Sequence, residues 1–551
     1  MKLTKYIAVA AVAVLASSCN DFLDQVPDNR VEIGTADECK QLLVDAYLQY
    51  NYATICEFSS DNVVDNNSPD ENGNRYNLTY RDEADLEAFA WDDIVSNIDT
   101  DSPSMVWSGC YHAIAVCNNA LDAIAKLEAK GRGSEVQAQK GEALVSRAYH
   151  HFILANIFAK AYAGEELSEN IPAIPYMQKT ETEVLVRYER ESLASVYRKI
   201  EADLLAGLPL IDDGSYDVPK YHFNKKAANA FAARFYLYKR DYEKVEKYAT
   251  EALGGEEADP SDLMRKFWVK SFTTYDALVA AYASVEEQCN FMLVPTYSDF
   301  TRRRGSRFAL NRDAQEATIM SAGPTWPNYN FHPCYSGKIY IRGSQEYGSF
   351  FPKAGEFFEY TDKVAGIGFI HIVRCEFTAE ETLLARAEAR LYLNRKEDAI
   401  ADLKIWDAAR RNVSVAATFK DFTEANVNSF YRNPGYGIVK PLHIDEVCPS
   451  DKYALTKDIE TLIQCVLHFR RIETIDDGYR WFDIKRYGIE ITHKIGLDRV
   501  ETLVTNDPRT ALQIPAEAIA AGFKPNDRAP MKKDSGVEKY VGSYWKNNIT
   551  K

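Results

Sequence analysis

AARFYLYKRDYEKVEKYATEAL, residues 232–253, is echoed by ARLYLNRKEDAIADLKIWDAA, residues 389–409. In both stretches an Ala-rich segment with large aromatics runs into a short charged turn, YKRD and then NRKE, and continues into a second segment of apolar periodicity. Ala233-Arg234-Phe235-Tyr236-Leu237 is matched by Ala389-Arg390-Leu391-Tyr392-Leu393. Small residues where two helices cross let their backbones approach, and the aromatics fill the gaps beside the crossing. Each copy therefore predicts a helix, a turn and a second helix packed on the first. Residues 104–128 extend the pattern, with Trp107, Tyr111, Ile114, Cys117, Leu121, Ile124 and Leu127 three or four apart on one stripe. Residues 138–160 and 191–208 are written the same way.

The expected fold is mainly α, with tetratricopeptide-like helix pairs forming a scaffold over residues 104–255 and 375–490. Four such pairs are expected, with the regular period broken by long insertions. Residues 50–103 are rich in Asn, Asp and Ser, and residues 291–372 mix Gly, Pro and aromatics. Both predict loop-rich regions carrying a few short strands. Long loops within a packed domain commonly carry function, so a site is sought there.

The N-terminus reads as an export signal. Lys2 and Lys5 precede an apolar run from Tyr6 to Ala16, too short for a mature membrane span and followed by small residues. Ordinary cleavage after Ser18 fits Ala16-Ser17-Ser18, while Cys19 at the next position can carry a lipid and become the new N-terminus. Residues 1–18 are thus assigned to the signal and 19–551 to one domain on a lipid tether.

The chain of 551 residues has a net charge of -16, which becomes -18 without Lys2 and Lys5. Nucleic acid and anionic lipid are disfavoured as partners. Ten cysteines include no C-x-x-C, and Cys110 and Cys117 lie roughly 10 Å apart on one helix, beyond disulfide reach. They are expected to be small buried apolar residues. H-E-x-x-H, G-x-S-x-G, a P-loop and G-x-G-x-x-G are all absent. No cofactor or metal is called for; Asp65, Asn67, Asp70, Asn72 and Asn74 read as a polar loop, since their spacing is not that of an EF-hand. A glycoside hydrolase needs only two facing carboxylates, so it remains an alternative, as does an assembly scaffold without a sugar ligand.

FRRIETIDDGYRWFDIKRYG, residues 469–488, predicts a helix from Tyr479 in which Arg480 reaches Asp483, Asp483 reaches Tyr487, and Trp481 and Ile484 are buried. Its expected role is to lock the scaffold.

The whole chain resembles the SusD/RagB family of outer-membrane nutrient-binding lipoproteins. The resemblance rests on Cys19-Asn20-Asp21-Phe22-Leu23-Asp24 with Pro27, on Trp107 and Tyr111, on GEALVSRAYHHF at 141–152, on AARFYLY, on GYRWFDIKRYG and on QIPAEAI at 513–519. Phe469 and Asp477 stand where the family usually has Glu. The resemblance implies a helical cell-surface protein that is not an enzyme. It implies an oligosaccharide or sometimes a peptide as ligand, and a SusC-like TonB-dependent transporter as partner.

A sugar ligand suits the loops, because pyranose rings present apolar C–H faces to aromatic rings and hydroxyl edges to Asn, Asp, Arg and Gln. Trp326, Tyr329 and Tyr335 in the central loop, and Tyr76, Tyr80 and Trp91 in the first, are the ring candidates. Arg304, within the run Arg302, Arg303, Arg304 and Arg307, is the basic candidate. Pro324 and Pro327 flank Trp326 and predict a fixed, exposed indole.

Overall fold

The computed structural model describes residues 33–531 apart from 70–72, 74, 76–77, 81, 96–99, 182–187, 268–271, 304–305, 328–334, 342–343, 412–417, 434–436 and 450–451; of 312 and 335–350 it describes the backbone alone. Cys19, Tyr76, Tyr329 and Arg304, with the side chain of Tyr335, lie outside what is described.

Fourteen helices of seven residues or more are found among the described residues. They are α1 Ala36–Leu43, α2 Ala53–Ser59, α3 Glu83–Ala90, α4 Pro103–Ala129, α5 Gln137–Phe158, α6 Leu193–Gly207, α7 Lys225–Lys239, α8 Tyr242–Ala252, α9 Tyr275–Tyr282, α10 Ala379–Tyr392, α11 Lys396–Arg410, α12 Glu424–Tyr431, α13 Glu460–Glu473 and α14 Tyr479–Tyr487. Local chemistry sets their ends. Ser102 caps α4 by accepting Met105 N–H, with Pro103 as the first helical residue, and Asn224 caps α7 by accepting Ala227 N–H.

The two echoed stretches form the expected pairs, α7 with α8 and α10 with α11, and α8 packs on α10 to join them. Their structural register differs from their sequence echo. Each turn uses one left-handed residue, Arg240 and Asn394, so these two correspond and Arg234 falls opposite Glu388, not opposite Arg390. The shared ARxYL letters are thus shifted by half a helical turn between copies. The first set is buried throughout, and in the second Ala389, Leu391 and Tyr392 are buried while Arg390 and Leu393 are half-buried, because each Ala-rich helix is covered nearly all round.

Of the stripe on α4, Ile114, Cys117, Ile124 and Leu127 are buried, joined by Val106, Cys110 and Ala113, while Trp107 and Tyr111 are half-buried, with Trp107 packed against Tyr111, Phe158 and Phe523. A single cluster of buried apolar side chains reaches from Tyr47 to Ile514. No disulfide is formed among the eight described cysteines, and seven of them are buried, in keeping with their apolar reading.

The strands are few and antiparallel. β2 Asn290–Thr296, β7 Ile367–Thr378 and β6 Glu356–Asp362 form a three-stranded sheet in the order β2-β7-β6. β1 Val64–Asp65 pairs with β3 Phe308–Ala309, and two hairpins are formed by β4 Tyr335–Ile341 with β5 Ser344–Phe350 and by β8 Ile491–Ile495 with β9 Arg499–Leu503. β7 runs directly into α10 through the Thr378 cap, so the central loop region is tied to the repeat.

α14 locks the scaffold through ion pairs that differ from those expected along its own sequence. Arg480 reaches Asp61, at 2.7 and 3.0 Å, instead of Asp483. Asp483 accepts from Arg470 at 2.9 Å, and Tyr487 donates to Glu388 at 2.7 Å. Glu388 also accepts from Arg486 at 2.7 Å and from Arg470. Burial works to raise the Glu388 carboxyl, yet Arg486 and Arg470 hold it below the ordinary value. Trp481 is fully buried, as expected.

Candidate functional site

The two loop regions meet, and their meeting has a rigid polar floor. Arg374 on β7 donates to Asn51 Oδ1 at 2.8 Å, Asn51 Nδ2 donates to Ser298 Oγ at 3.1 Å, and Ser298 donates to Asp101 Oδ2 at 2.9 Å. Thr54 donates to the same carboxylate oxygen at 2.8 Å. Burial pushes the Asp101 carboxyl up to about 8, against the pull of the Thr54 and Ser298 hydroxyls and with a smaller push from Asp299. At neutral pH this junction therefore holds a largely uncharged acid, which suits its burial. Arg303 continues the floor by pairing Asp299 at 2.7 Å with Asp85 of α3.

Tyr50 and Tyr297 stand on this floor side by side. Tyr297 N–H donates to Gln49 O at 2.8 Å, and the two residues form a parallel bridge. Their ring centroids are 6.3 Å apart, and Phe369 of β7 continues the row 5.1 Å from Tyr297. All three rings are half-buried. Gly109 of α4 makes room for the first of them, since a Cβ there would meet Tyr50 Cδ2 at 2.6 Å. The rim is polar. Asp45 accepts from Gln49 Nε2 at 2.7 Å and bonds His112 Nε2 at 2.7 Å, while Glu359 lies directly across the β6–β7 ladder from Phe369. Partial burial, and behind it the Glu359 charge with Tyr50 and Asp45, pushes the Tyr297 phenol upward.

A row of half-exposed rings with carboxylates, an amide and an imidazole along its edge can stack apolar ligand faces and hydrogen-bond their polar edges. Sequence reading missed these rings. The available signal was the strand-like run FMLVPTY, residues 291–297, which ends on a tyrosine at a loop mouth, and the placement of Tyr50 at the opening of the first loop region.

Two expected ring contacts are packed inside instead. Trp326 is 3% exposed, lies against Phe469 and His468 at 5.6 and 5.7 Å, and donates its indole N–H to Ser321 O at 3.1 Å. Gly323 explains the inward pose, because a Cβ there would fall 2.0 Å from the indole. The flanking prolines fix the loop, but they fix it with the ring turned inward. Trp91 is likewise 3% exposed, stacked on His493 at 4.2 Å and donating to Ser59 O at 2.9 Å. Tyr80 is half-buried and stacks on Phe308 at 6.4 Å.

The described arginines of the basic run each meet an acid. Arg302 pairs with Glu356 at 2.8 Å, Arg303 with Asp85 and Asp299, and Arg307 with Asp65 at 2.8 Å. Asp65 also accepts Gly496 N–H and Asn67 N–H, which commits it to holding loops together.

Residues 21–237 match a SusD-like family model described as "Starch-binding associating with outer membrane". No curated protein matches the chain. Among solved structures, a SusD superfamily protein from Bacteroides vulgatus is 17% identical, covering 91% of this chain and 100% of its own, with a TM-score of 0.59. Another from Bacteroides fragilis is 17% identical over 89% and 99%, with a TM-score of 0.57. A third from Bacteroides thetaiotaomicron is 16% identical over 90% and 100%, also at 0.57. At such identities the structural likeness is one of fold, and it runs the length of the scaffold. Residues 21–237 carry the sequence pattern of the SusD-like family, and the fold of the chain as a whole is similar to that of the SusD superfamily structures.

Proposed function

We propose that this protein is a lipid-anchored, cell-surface nutrient-binding protein that captures an oligosaccharide and delivers it, chemically unchanged, to a SusC-like TonB-dependent outer-membrane transporter. The observation that carries the reading is the row Tyr50, Tyr297 and Phe369, held on a rigid floor where the two loop regions meet. Support comes also from the family description, starch binding in association with the outer membrane, and from a likeness to a structure described as a SusD-like carbohydrate binding protein from Bacteroides vulgatus, at 17% identity and a TM-score of 0.50. The transporter partner rests on the family resemblance. Tyr76, Tyr329, Tyr335 and Arg304 stay as proposed further contacts from the same two loop regions.

The site is tested by removing one ring. Tyr297→Ala should weaken oligosaccharide binding by about 1–3 kcal/mol, a factor of roughly 5 to 150, with the bound sugar recovered intact. Its melting temperature should move little, because the ring is only half-buried. Calorimetric titration of the mature domain with its best ligand from a glycan screen reads the effect. Unchanged affinity would take the ligand away from this row.

The anchor is tested separately. Cys19→Ala should move the protein from membranes to soluble fractions, since stable attachment needs the acyl chains that a single cysteine can carry. A variant that remains membrane-bound, beside a wild type that takes up no labelled fatty acid, would end the lipoprotein reading.

A further inference from the structure

A surface that stacks sugar rings also chooses among sugars, and here the choice lies in the balance of donors and acceptors on the rim. Asp45 receives the Gln49 amide N–H on Oδ1 and His112 Nε2 on Oδ2, both at 2.7 Å. That arrangement commits the Gln49 nitrogen to Asp45 and leaves its carbonyl oxygen as an acceptor. The Asp45 and His112 side chains remain 48% and 58% exposed, so both face an arriving ligand. Glu359, exposed on β6 and paired across the ladder with Phe369, adds a second carboxylate to the row. Beneath it, the Arg374 guanidinium is committed to Asn51 and Glu376, at 2.8 and 2.9 Å. The rim is therefore rich in acceptors, and its two exposed carboxylates, Asp45 and Glu359, both bear on Tyr297.

Resting on the glycan reading of this row, we propose that it selects neutral or amino-bearing oligosaccharides and rejects those carrying carboxylate or sulfate groups. Sugar hydroxyls and free amines bring the donors that Asp45, Glu359 and Gln49 require. A uronate or sulfated sugar brings pure acceptors and a like charge. Within about 5 Å of either carboxylate, that repulsion weakens binding roughly four- to tenfold at low salt. Added salt should shrink the penalty, since both carboxylates are solvent-facing. The overall charge of -16 adds to the bias at longer range.

The test is a glycan array carrying neutral, amino-bearing, uronate and sulfated oligosaccharides of matched length, probed with the mature wild type and with Asp45→Asn/Glu359→Gln. Wild type should retain neutral or amino-bearing members. In the double variant the acidic members should gain about tenfold relative to the neutral ones, and high salt should reproduce part of that gain in wild type. An acidic glycan as the strongest wild-type ligand, or an acidic-to-neutral ratio unaltered by the double substitution, overturns the selectivity while leaving glycan binding in place. An array on which nothing binds sinks the glycan reading, and the selectivity falls with it.

Discussion

Glu388→Ala should destabilise the protein by about 3–5 kcal/mol, measured as a shift in the urea or thermal unfolding midpoint. The carboxylate is fully buried and accepts from Arg470, Arg486 and Tyr487 at once. Its removal leaves two guanidinium groups in the interior with Asp483 as the remaining acid between them. Burying unmatched charge costs far more than the net worth of the intact pair, and this asymmetry is why the expected loss is large. Against a total stability of about 5–15 kcal/mol, such a change removes a large share. Glu388→Gln should lie between wild type and alanine, because it keeps the volume and one acceptor while losing the charge. A loss under about 1 kcal/mol for the alanine variant would mean that water or movement of α14 compensates, and that the network is not what holds α13 to α14 and the repeat.

Trp326→Ala is the second large effect, and it too acts on stability. Truncating a tryptophan that is 3% exposed and packed on Phe469 should cost about 3–5 kcal/mol through lost contacts and the cavity left behind. Affinity measured on the folded fraction should stay near wild type. Tyr297→Ala is the mirror image, losing binding while keeping stability. Circular dichroism melts and ligand titration on both variants separate the two cases. A Trp326→Ala protein that melts like wild type and no longer binds sugar would restore the exposed indole expected from its flanking prolines.

What could be read in the amino-acid order was whatever is set by neighbours in sequence. The echo of ARFYL in ARLYL marks two buried Ala-rich helices, because close helix crossings demand small residues and leave an audible pattern. Even there the register escaped, since it depends on which residue adopts the left-handed turn, Arg240 in one copy and Asn394 in the other. Asp483 and Tyr487 sit at helical spacing from Arg480, yet the true partner, Asp61, is 419 residues away. Long-range pairs of this kind leave no local trace. Two of the ring candidates, Trp326 and Trp91, face inward for a related reason. Whether an indole in a Pro-rich loop faces water or core was decided by the space over Gly323 and by the ring of Phe469, neither of which announces itself from the loop. Tyr50 and Tyr297 escaped because each is ordinary alone and significant only beside the other.

The polar floor from Arg374 through Asn51 and Ser298 to Asp101 has a consequence for how this surface can change over time. It clamps both loop regions near their roots, so the distance between their bases does not depend on what the outer segments contain. Lengthening a clamped loop is cheap, about 0.6 kcal/mol for each doubling of its span. Tips can therefore be exchanged, extended or trimmed at little cost in stability, while the spacing of Tyr50 and Tyr297 stays set by the floor beneath them.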